Sequence, residues 1–167
     1  MPDRTGRPGA GPGLSQVAAD LLARYAWAID DRDYAALGDV FTHDVVADYG
    51  AFTCAGADDV IARMEEIHRG LRTTQHLVGS VLAEADGDGD ALVRSHVRAT
   101  LVRDGADRGR VEVAATYRDR MVRTDRGHRI AERRVEGRWI AGERSILPWF
   151  HAPPPGTAST SADDRGI

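Results

Sequence analysis

The sequence predicts an α+β domain in which a strongly curved, mostly antiparallel sheet wraps around N-terminal helices to form a cone. The first part of the chain carries apolar residues at helical spacing, interrupted by one strand-like stretch. From residue 73 onward, long alternating segments follow one another at hairpin spacing, which favours an antiparallel meander. A group of helices followed by a run of strands is the order of elements typical of an α+β fold. The mouth of such a cone is a natural small-molecule pocket.

The helices are recognised by the spacing of their apolar residues and by their stop signals. Apolar residues recur from Leu14 to Ile29, and the acidic run at 30–33 ends that stripe. A later helix has an acidic start and a glycine stop. The predicted elements of this half are a first helix from Leu14 to Ile29, a short helix over 34–41, a turn at 42–44, a strand over 44–54 and a helix over 57–70.

The remaining elements are strands, because apolar and polar residues alternate between clear turn signals. The predicted strands cover 73–85, 91–104, 110–124 and one or two strands within 128–142, with turns at 87–90 and 105–109. Residues 1–13, rich in glycine and proline, predict a flexible leader. Residues 151–167 predict a proline-rich, disordered tail, which leaves one domain over 14–150.

Composition excludes several classes of function. All 22 basic residues are arginine, so no lysine is present to form a Schiff base. The net charge of −4 argues against a nucleic-acid partner, and no apolar run is long enough to cross a membrane. The single cysteine, Cys54, excludes an internal disulfide, and a cytoplasmic location is expected. The histidines and carboxylates lack metal-ligand spacing, so neither a metal nor another cofactor is predicted.

Strand alternation sorts the histidines. In 91–104 the apolar face carries Val93 and Val97, so His96 falls on the outer, arginine-rich face as a surface or oligomer-interface residue. Alternation does not settle whether His76 points inward. Asp30 lies at the end of the first helix, where a carboxylate opposes the helix dipole and needs a compensating partner. A buried histidine would be such a partner.

The segments RYAWAIDDRDYAALGDVFTHDVVADYGAF, TTQHLVGS and YRDRMVRTDRGHRIAERRV, within residues 14–149, resemble the SnoaL-like branch of the nuclear transport factor 2-like superfamily. Local matches to scytalone dehydratase are Asp30, Asp48-Tyr49 and Thr74-Gln75-His76-Leu77. The resemblance implies that His76 is a general base and that Asp30 holds it. The tyrosine preceding the family's acid is Ile29 here, and its second catalytic histidine has no clear counterpart, which argues against scytalone as the substrate.

Other candidate residues are less decisive. Tyr49 either donates a hydrogen bond to a substrate oxygen or packs in the core with its hydroxyl at the rim. Asp119 either joins the pocket or pairs with Arg133 or Arg134, and the pair is favoured because an unpaired buried carboxylate is costly. The candidate substrate-binding residues are Tyr25, Tyr117, Asp119, Met121, Trp149 and Phe150.

The predicted function is a cofactor-independent lyase, most simply a dehydratase, acting on a small hydrophobic cyclic compound of natural-product metabolism. An isomerase or a cyclase would use the same Asp–His pair. A non-catalytic ligand-binding or assembly module is the alternative of a different class, because fold does not determine function. The resemblance implies a homodimer or homotrimer built on the outer face of the sheet.

Overall fold

A computed structural model describes residues 13–87, 89–103 and 109–150. The predicted leader at 1–13, except for Gly13, and the predicted tail at 151–167 lie outside these residues. The helical elements are α1 (Leu14–Asp30), α2 (Ala57–His68) and two short 3-10 helices, Tyr34–Asp39 and Arg144–Ile146. The strands are β1 (Phe41–Asp48), β2 (Thr53–Ala55), β3 (Leu71–Ala85), β4 (Ala91–Arg103), β5 (Arg110–Thr124) and β6 (Gly127–Gly142).

One mixed, six-stranded sheet in the order β2-β1-β6-β5-β4-β3 forms the cone. The strands β3 to β6 make the predicted antiparallel meander, and β1 joins β6 in parallel. Register shifts mark bulges in β3, between Gly79 and Leu82, and in β6, at Arg138 and Ala131 opposite β5. Bulges of this kind bend strands and increase twist, which suits a sheet that curves around helices. The predicted fold class is confirmed.

The core lies between α1 and the concave face of the sheet. Tyr25 and Ile29 of α1 are almost fully buried, as are Val97 and Leu101 of β4. The predicted inner face of β4 is confirmed, since its members alternate with exposed residues along most of the strand. His96 is exposed on the outer face. Helix α1 packs along β3 at the edge of the sheet, and this contact positions the site described below.

Two local predictions are wrong. Residues 42–44 belong to β1 and not to a turn, because the chain already pairs with β6 at Val40 and Phe41. The single strand predicted over 44–54 is a hairpin, in which β1 and β2 are joined by a turn at 49–52. Asp48 accepts a hydrogen bond from the backbone of Gly50 in this turn, and such Asx chemistry competes with strand continuation.

Candidate active site

Asp30 and His76 meet where the end of α1 crosses β3. The Nδ1 atom of His76 lies 2.7 Å from Oδ1 of Asp30, and the backbone N–H of His76 donates to Oδ2 at 2.7 Å. The hydroxyl of Thr74 donates to Oδ1 at 2.8 Å. The side chains of His76 and Asp30 are 8% and 14% exposed. One carboxylate therefore receives three hydrogen bonds from two residues of the same strand.

The position of β3 in the sheet explains why this contact forms. The strand β3 is at the edge of the sheet and pairs with β4 on one side only. The backbone N–H groups along its unpaired edge therefore need other partners. Asp30 satisfies one of them and also accepts from the inward side chains of Thr74 and His76. The end of α1 is unfavourable for a lone carboxylate, and these donors offset that cost.

The hydrogen bonds define the protonation state of the pair. Burial by itself would raise the pKa of Asp30, but the hydrogen bonds from the His76 ring and backbone, the His76 charge and the Thr74 hydroxyl together lower it. An ionised carboxylate only accepts hydrogen bonds, so Nδ1 of His76 carries a proton, and in the neutral imidazole Nε2 is then the nitrogen with the free lone pair. This is the arrangement of a general base oriented by an acid.

His76 forms part of the wall of a small internal cavity of about 60 Å³. The wall is mostly aliphatic and aromatic, with polar groups from two histidines and three tyrosines. The residues lining it are Tyr25, Tyr49, Met64, Ile67, His68, His76, Val97, Ala99, Leu101, Val113, Ala115, Tyr117, Val135, Leu147, Trp149 and Phe150. An open groove of about 680 Å³ between α1 and β3 reaches Asp30 and His76 from the outside.

The three tyrosines that line the cavity come from different elements. The rings of Tyr25 and Tyr117 are perpendicular, with centroids 5.9 Å apart, and Tyr49 stacks on Phe52. Burial raises the pKa of the Tyr49 and Tyr117 hydroxyls well above the ordinary value, so both are neutral donors. By its geometry the Tyr49 hydroxyl has no hydrogen-bond partner among the described residues, but the Tyr25 hydroxyl is near enough to contribute to the raised pKa of Tyr49.

Of the other predicted pocket residues, Trp149 and Phe150 line the cavity, but Asp119 and Met121 do not appear in the described part of its wall. Asp119 forms the ion pair with Arg133, with two contacts of 2.8 Å, and the two side chains are 1% and 0% exposed. Met121 is fully buried near Ile130, toward the other half of α1.

His68 is a cavity residue that sequence reasoning missed. The position of His68 near the glycine that ends its helix predicts an exposed side chain. The residue is only 4% exposed, and the centroid of its ring lies 6.1 Å from the centroid of the His76 ring. The signal was present in the sequence, because Val60, Met64 and His68 are spaced four residues apart and share one face of α2. Arg32 donates to the carbonyl oxygens of His68 and Leu71 and so attaches the end of α2 to the end of α1.

Comparison with known proteins agrees with this architecture. The model of the SnoaL-like domain matches residues 17–134. The chain belongs to the SnoaL-like family. No match is found among curated proteins.

Solved structures share the fold at low sequence identity. A candidate scytalone dehydratase from Novosphingobium aromaticivorans DSM 12444 has 22% identity and a TM-score of 0.72, covering 86% of this chain and 93% of that one. A candidate aromatic ring hydroxylase from the same species has 22% identity and a TM-score of 0.71, covering 79% and 94%. A hexachlorocyclohexane dehydrochlorinase (LinA type 2) has 16% identity and a TM-score of 0.67, covering 86% and 99%. These similarities establish the fold alone.

Two further observations concern the described residues only. Within 13–87, 89–103 and 109–150, no group of three His, Cys, Asp or Glu side chains is placed to hold a metal ion. Neither α1 nor α2 combines the length and apolar character that a membrane-crossing helix requires.

Proposed function

We propose that this protein is a cofactor-independent lyase of the dehydratase type, acting on a small hydrophobic cyclic compound that carries carbonyl and hydroxyl groups. The observation that carries the proposal is the 2.7 Å contact between Asp30 and His76 at the wall of an apolar cavity. A buried carboxylate–imidazole pair beside a cavity is a base held in one orientation.

The proposed reaction begins with removal of a proton α to the carbonyl by Nε2 of His76. Asp30 stabilises the imidazolium that forms, as a carboxylate hydrogen-bonded to Nδ1–H does. The electron pair left on carbon forms the new double bond as the bond to the β-hydroxyl breaks. The proton on His76 then passes to that hydroxyl, and water leaves. The pair returns to its starting state.

Tyr49 is the proposed donor to the substrate carbonyl. Its hydroxyl is buried, neutral and without a partner in the described chain, so it is available to a carbonyl oxygen that gains negative charge. A preorganised donor of this kind stabilises the enolate more than the ground-state ketone.

The cavity limits how a substrate binds. A volume of about 60 Å³ is well below the ~300–1,000 Å³ of typical ligand sites, so a ring compound enters only when wall side chains move. Trp149 and Phe150 lie in the last described segment and are the residues we expect to move. Walls made of aliphatic and aromatic side chains select hydrophobic rings, and natural-product metabolism is the proposed setting.

Two other activities fit parts of the same observations. An isomerase or cyclase begins with the same proton abstraction and differs only in the fate of the carbanion. A non-catalytic assembly module is favoured specifically by the small volume of the cavity, and a non-catalytic ligand-binding module would need the same movement of the wall as the lyase.

We also propose a cytoplasmic homodimer or homotrimer that associates through the outer face of the sheet. Leu77, Leu92 and Trp139 are exposed there, beside His96 and Arg98. Exposed apolar side chains of this size on a sheet face are a feature of interfaces.

The test is dehydration of a panel of cyclic β-hydroxyketones, followed by mass spectrometry of the products. We expect His76→Ala and Asp30→Asn each to lower turnover by about 10²-fold or more, because general-base catalysis contributes about that much. The control is His43→Ala, since the His43 side chain is 95% exposed and remote from the cavity wall. Unchanged turnover in the two site variants, with native circular dichroism, would refute the pair as the catalytic base.

A further inference from the structure

A second imidazole, that of His68, faces the cavity, and the mechanism above does not use it. Its Nδ1 atom lies 2.7 Å from the carbonyl oxygen of Met64. A carbonyl oxygen only accepts hydrogen bonds, so Nδ1 of His68 carries the ring proton. The other ring nitrogen, Nε2, is then an acceptor with no proton to donate.

The Nε2 atom of His68 has no hydrogen-bond partner among the described residues, and it is not one of their enclosed unpaired atoms. The atom is therefore accessible at the cavity wall, although the residue as a whole is only 4% exposed. An accessible acceptor that no protein group occupies, at the wall of a cavity, is a position where a ligand donor is favoured. The tyrosine hydroxyls in the wall are donors and acceptors, whereas Nε2 of His68 is an acceptor only.

His68 keeps this state over the physiological pH range. Burial lowers its pKa to about 4, outweighing the hydrogen bond to Met64, and His76 and Arg32 lower it further. Asp30 acts in the opposite direction. His68 therefore neither donates a proton to a leaving group nor competes with His76 as a base. It offers one fixed lone pair.

We propose that His68 is a specificity-determining residue that accepts a hydrogen bond from a ligand hydroxyl, so that the cavity selects hydroxylated rings over the corresponding ethers. The proposal rests on the proposed function only in taking this cavity as the ligand site. The two imidazoles then have separate roles: His76 faces the reacting C–H, and His68 holds a neighbouring O–H. The substrate class is thus narrower than cyclic ketones in general.

Phenol and anisole test this selection directly, because they share a ring and differ in the O–H donor. Their affinities are measured by NMR titration on the full chain. We expect the ratio of phenol affinity to anisole affinity to be about 10-fold higher in wild type than in His68→Asn. A change of this size is typical when one buried hydrogen-bonding group is left unpaired. The His68→Asn change keeps a donor for the Met64 carbonyl but leaves no group at the position of Nε2. The longer His68→Gln change places an amide oxygen there and should restore part of the preference.

A variant of the neighbouring base decides which imidazole is responsible. His76→Asn should keep the phenol preference if His68 carries it. If His76→Asn abolishes the preference and His68→Asn retains it, the proposal is overturned. In wild type, phenol but not anisole should shift the Nε2 ¹⁵N resonance of His68, a readout that needs no variant to fold.

The outcomes separate this proposal from the proposed function. Absence of phenol binding to wild type, or equal affinity for phenol and anisole in wild type and His68→Asn, would overturn the role of His68. Neither result depends on turnover. Loss of catalysis in the His76 variant together with an unselective cavity would support the lyase and refute this inference.

Discussion

Among the described residues, two carboxylates inside the cone are paired with a basic side chain, Asp119 with Arg133 and Asp30 with His76, and the two pairs differ in what surrounds them. Arg133 and Asp119 make two 2.8 Å contacts, and their side chains are 0% and 1% exposed. His76 and Asp30 lie at the C-terminal end of α1, where His76 lines the cavity and both residues line the open groove between α1 and β3. The Arg133–Asp119 pair is the closed pair, because its side chains are almost fully enclosed, and the His76–Asp30 pair is the open pair, because it is reached from the cavity and from the groove.

Their surroundings match different tasks. The guanidinium of Arg133 lies 4.3 Å and 4.2 Å from the ring centroids of Tyr25 and Tyr117, so aromatic faces stabilise a charge that cannot be lost. The imidazole of His76, by contrast, is bonded to Asp30 through Nδ1 and lines the cavity, so Nε2 is the ring nitrogen left for a ligand. The comparison teaches that burial alone does not mark an active site. The difference that makes Asp30 and His76 the candidate site is that His76 also lines a cavity.

The largest effect is expected from breaking the closed pair. Arg133→Met leaves the Asp119 carboxylate buried without its partner, and such a change costs about 3–5 kcal/mol in the free energy of unfolding. Urea denaturation followed by circular dichroism measures it. Arg94→Met, on the exposed outer face, is the matched surface control and should have almost no effect.

A double variant sharpens the same comparison. Replacing both members, Arg133→Met with Asp119→Leu, removes the uncompensated charge and should recover most of the lost stability. Should the double variant be no more stable than Arg133→Met, the cost would belong to packing against Tyr25 and Tyr117 and not to the unpaired carboxylate.

The next-largest effect on stability is expected from His68, which lines the cavity beside His76. Its pKa is about 4 in the folded protein and about 6.5 when unfolded, so the unfolded state binds more protons between these values. Stability is therefore complete above pH 6.5 and falls as the pH drops toward 4, by about 3 kcal/mol for this one group. The free energy of unfolding at pH 7, 5.5 and 4.5 measures the slope.

His68→Gln removes the titrating group and should flatten this part of the curve. Asp30 also loses stabilisation on acidification, but its lowered pKa places that loss at still lower pH. His43→Gln is the control, because His43 is exposed. A slope that is the same in wild type and His68→Gln would contradict the assignment.

The sequence was sufficient for most of the fold because its strands are long and alternate without interruption. Alternation in β4 and β5 predicts the boundaries of both strands and the buried face of β4 correctly. It fails at residues 42–44, where a Thr-His-Asp run typical of turns continues into a strand that is held by pairing with β6. Local propensity is overridden there by a contact distant in the sequence.

The site was less accessible from the sequence. The pairing of His76 with Asp30 depends on the resemblance, since alternation in β3 does not decide which face points inward. The inward side chains of β3, such as those of Thr74 and His76, are only partly buried, because β3 is an edge strand covered by α1. His68 was recoverable from its spacing with Val60 and Met64. The closed pair is one of two alternatives that the sequence offers for Asp119, but its aromatic surroundings depend on three-dimensional packing.

The smallest effect is expected from one donor of the open pair. Thr74→Val keeps the β-branched shape that suits a strand but removes the hydroxyl that donates to Oδ1 of Asp30 at 2.8 Å. Because Asp30 is partly exposed and keeps both hydrogen bonds from His76, we expect a loss of only about 1 kcal/mol in stability. The pKa of Asp30 should rise, since a hydrogen bond that lowers it is gone.

The pKa of Asp30 is measured by following its carboxyl ¹³C resonance from about pH 2 to about pH 7, a range that spans ordinary carboxyl titration, in wild type and in Thr74→Val. Thr73→Val is the control, because Thr73 is exposed and is not a donor to Asp30. An unchanged carboxyl titration in Thr74→Val would mean that His76 alone maintains the charge of Asp30. The open pair would then need only the two hydrogen bonds that a single residue provides, and Thr74 would serve the strand and not the base.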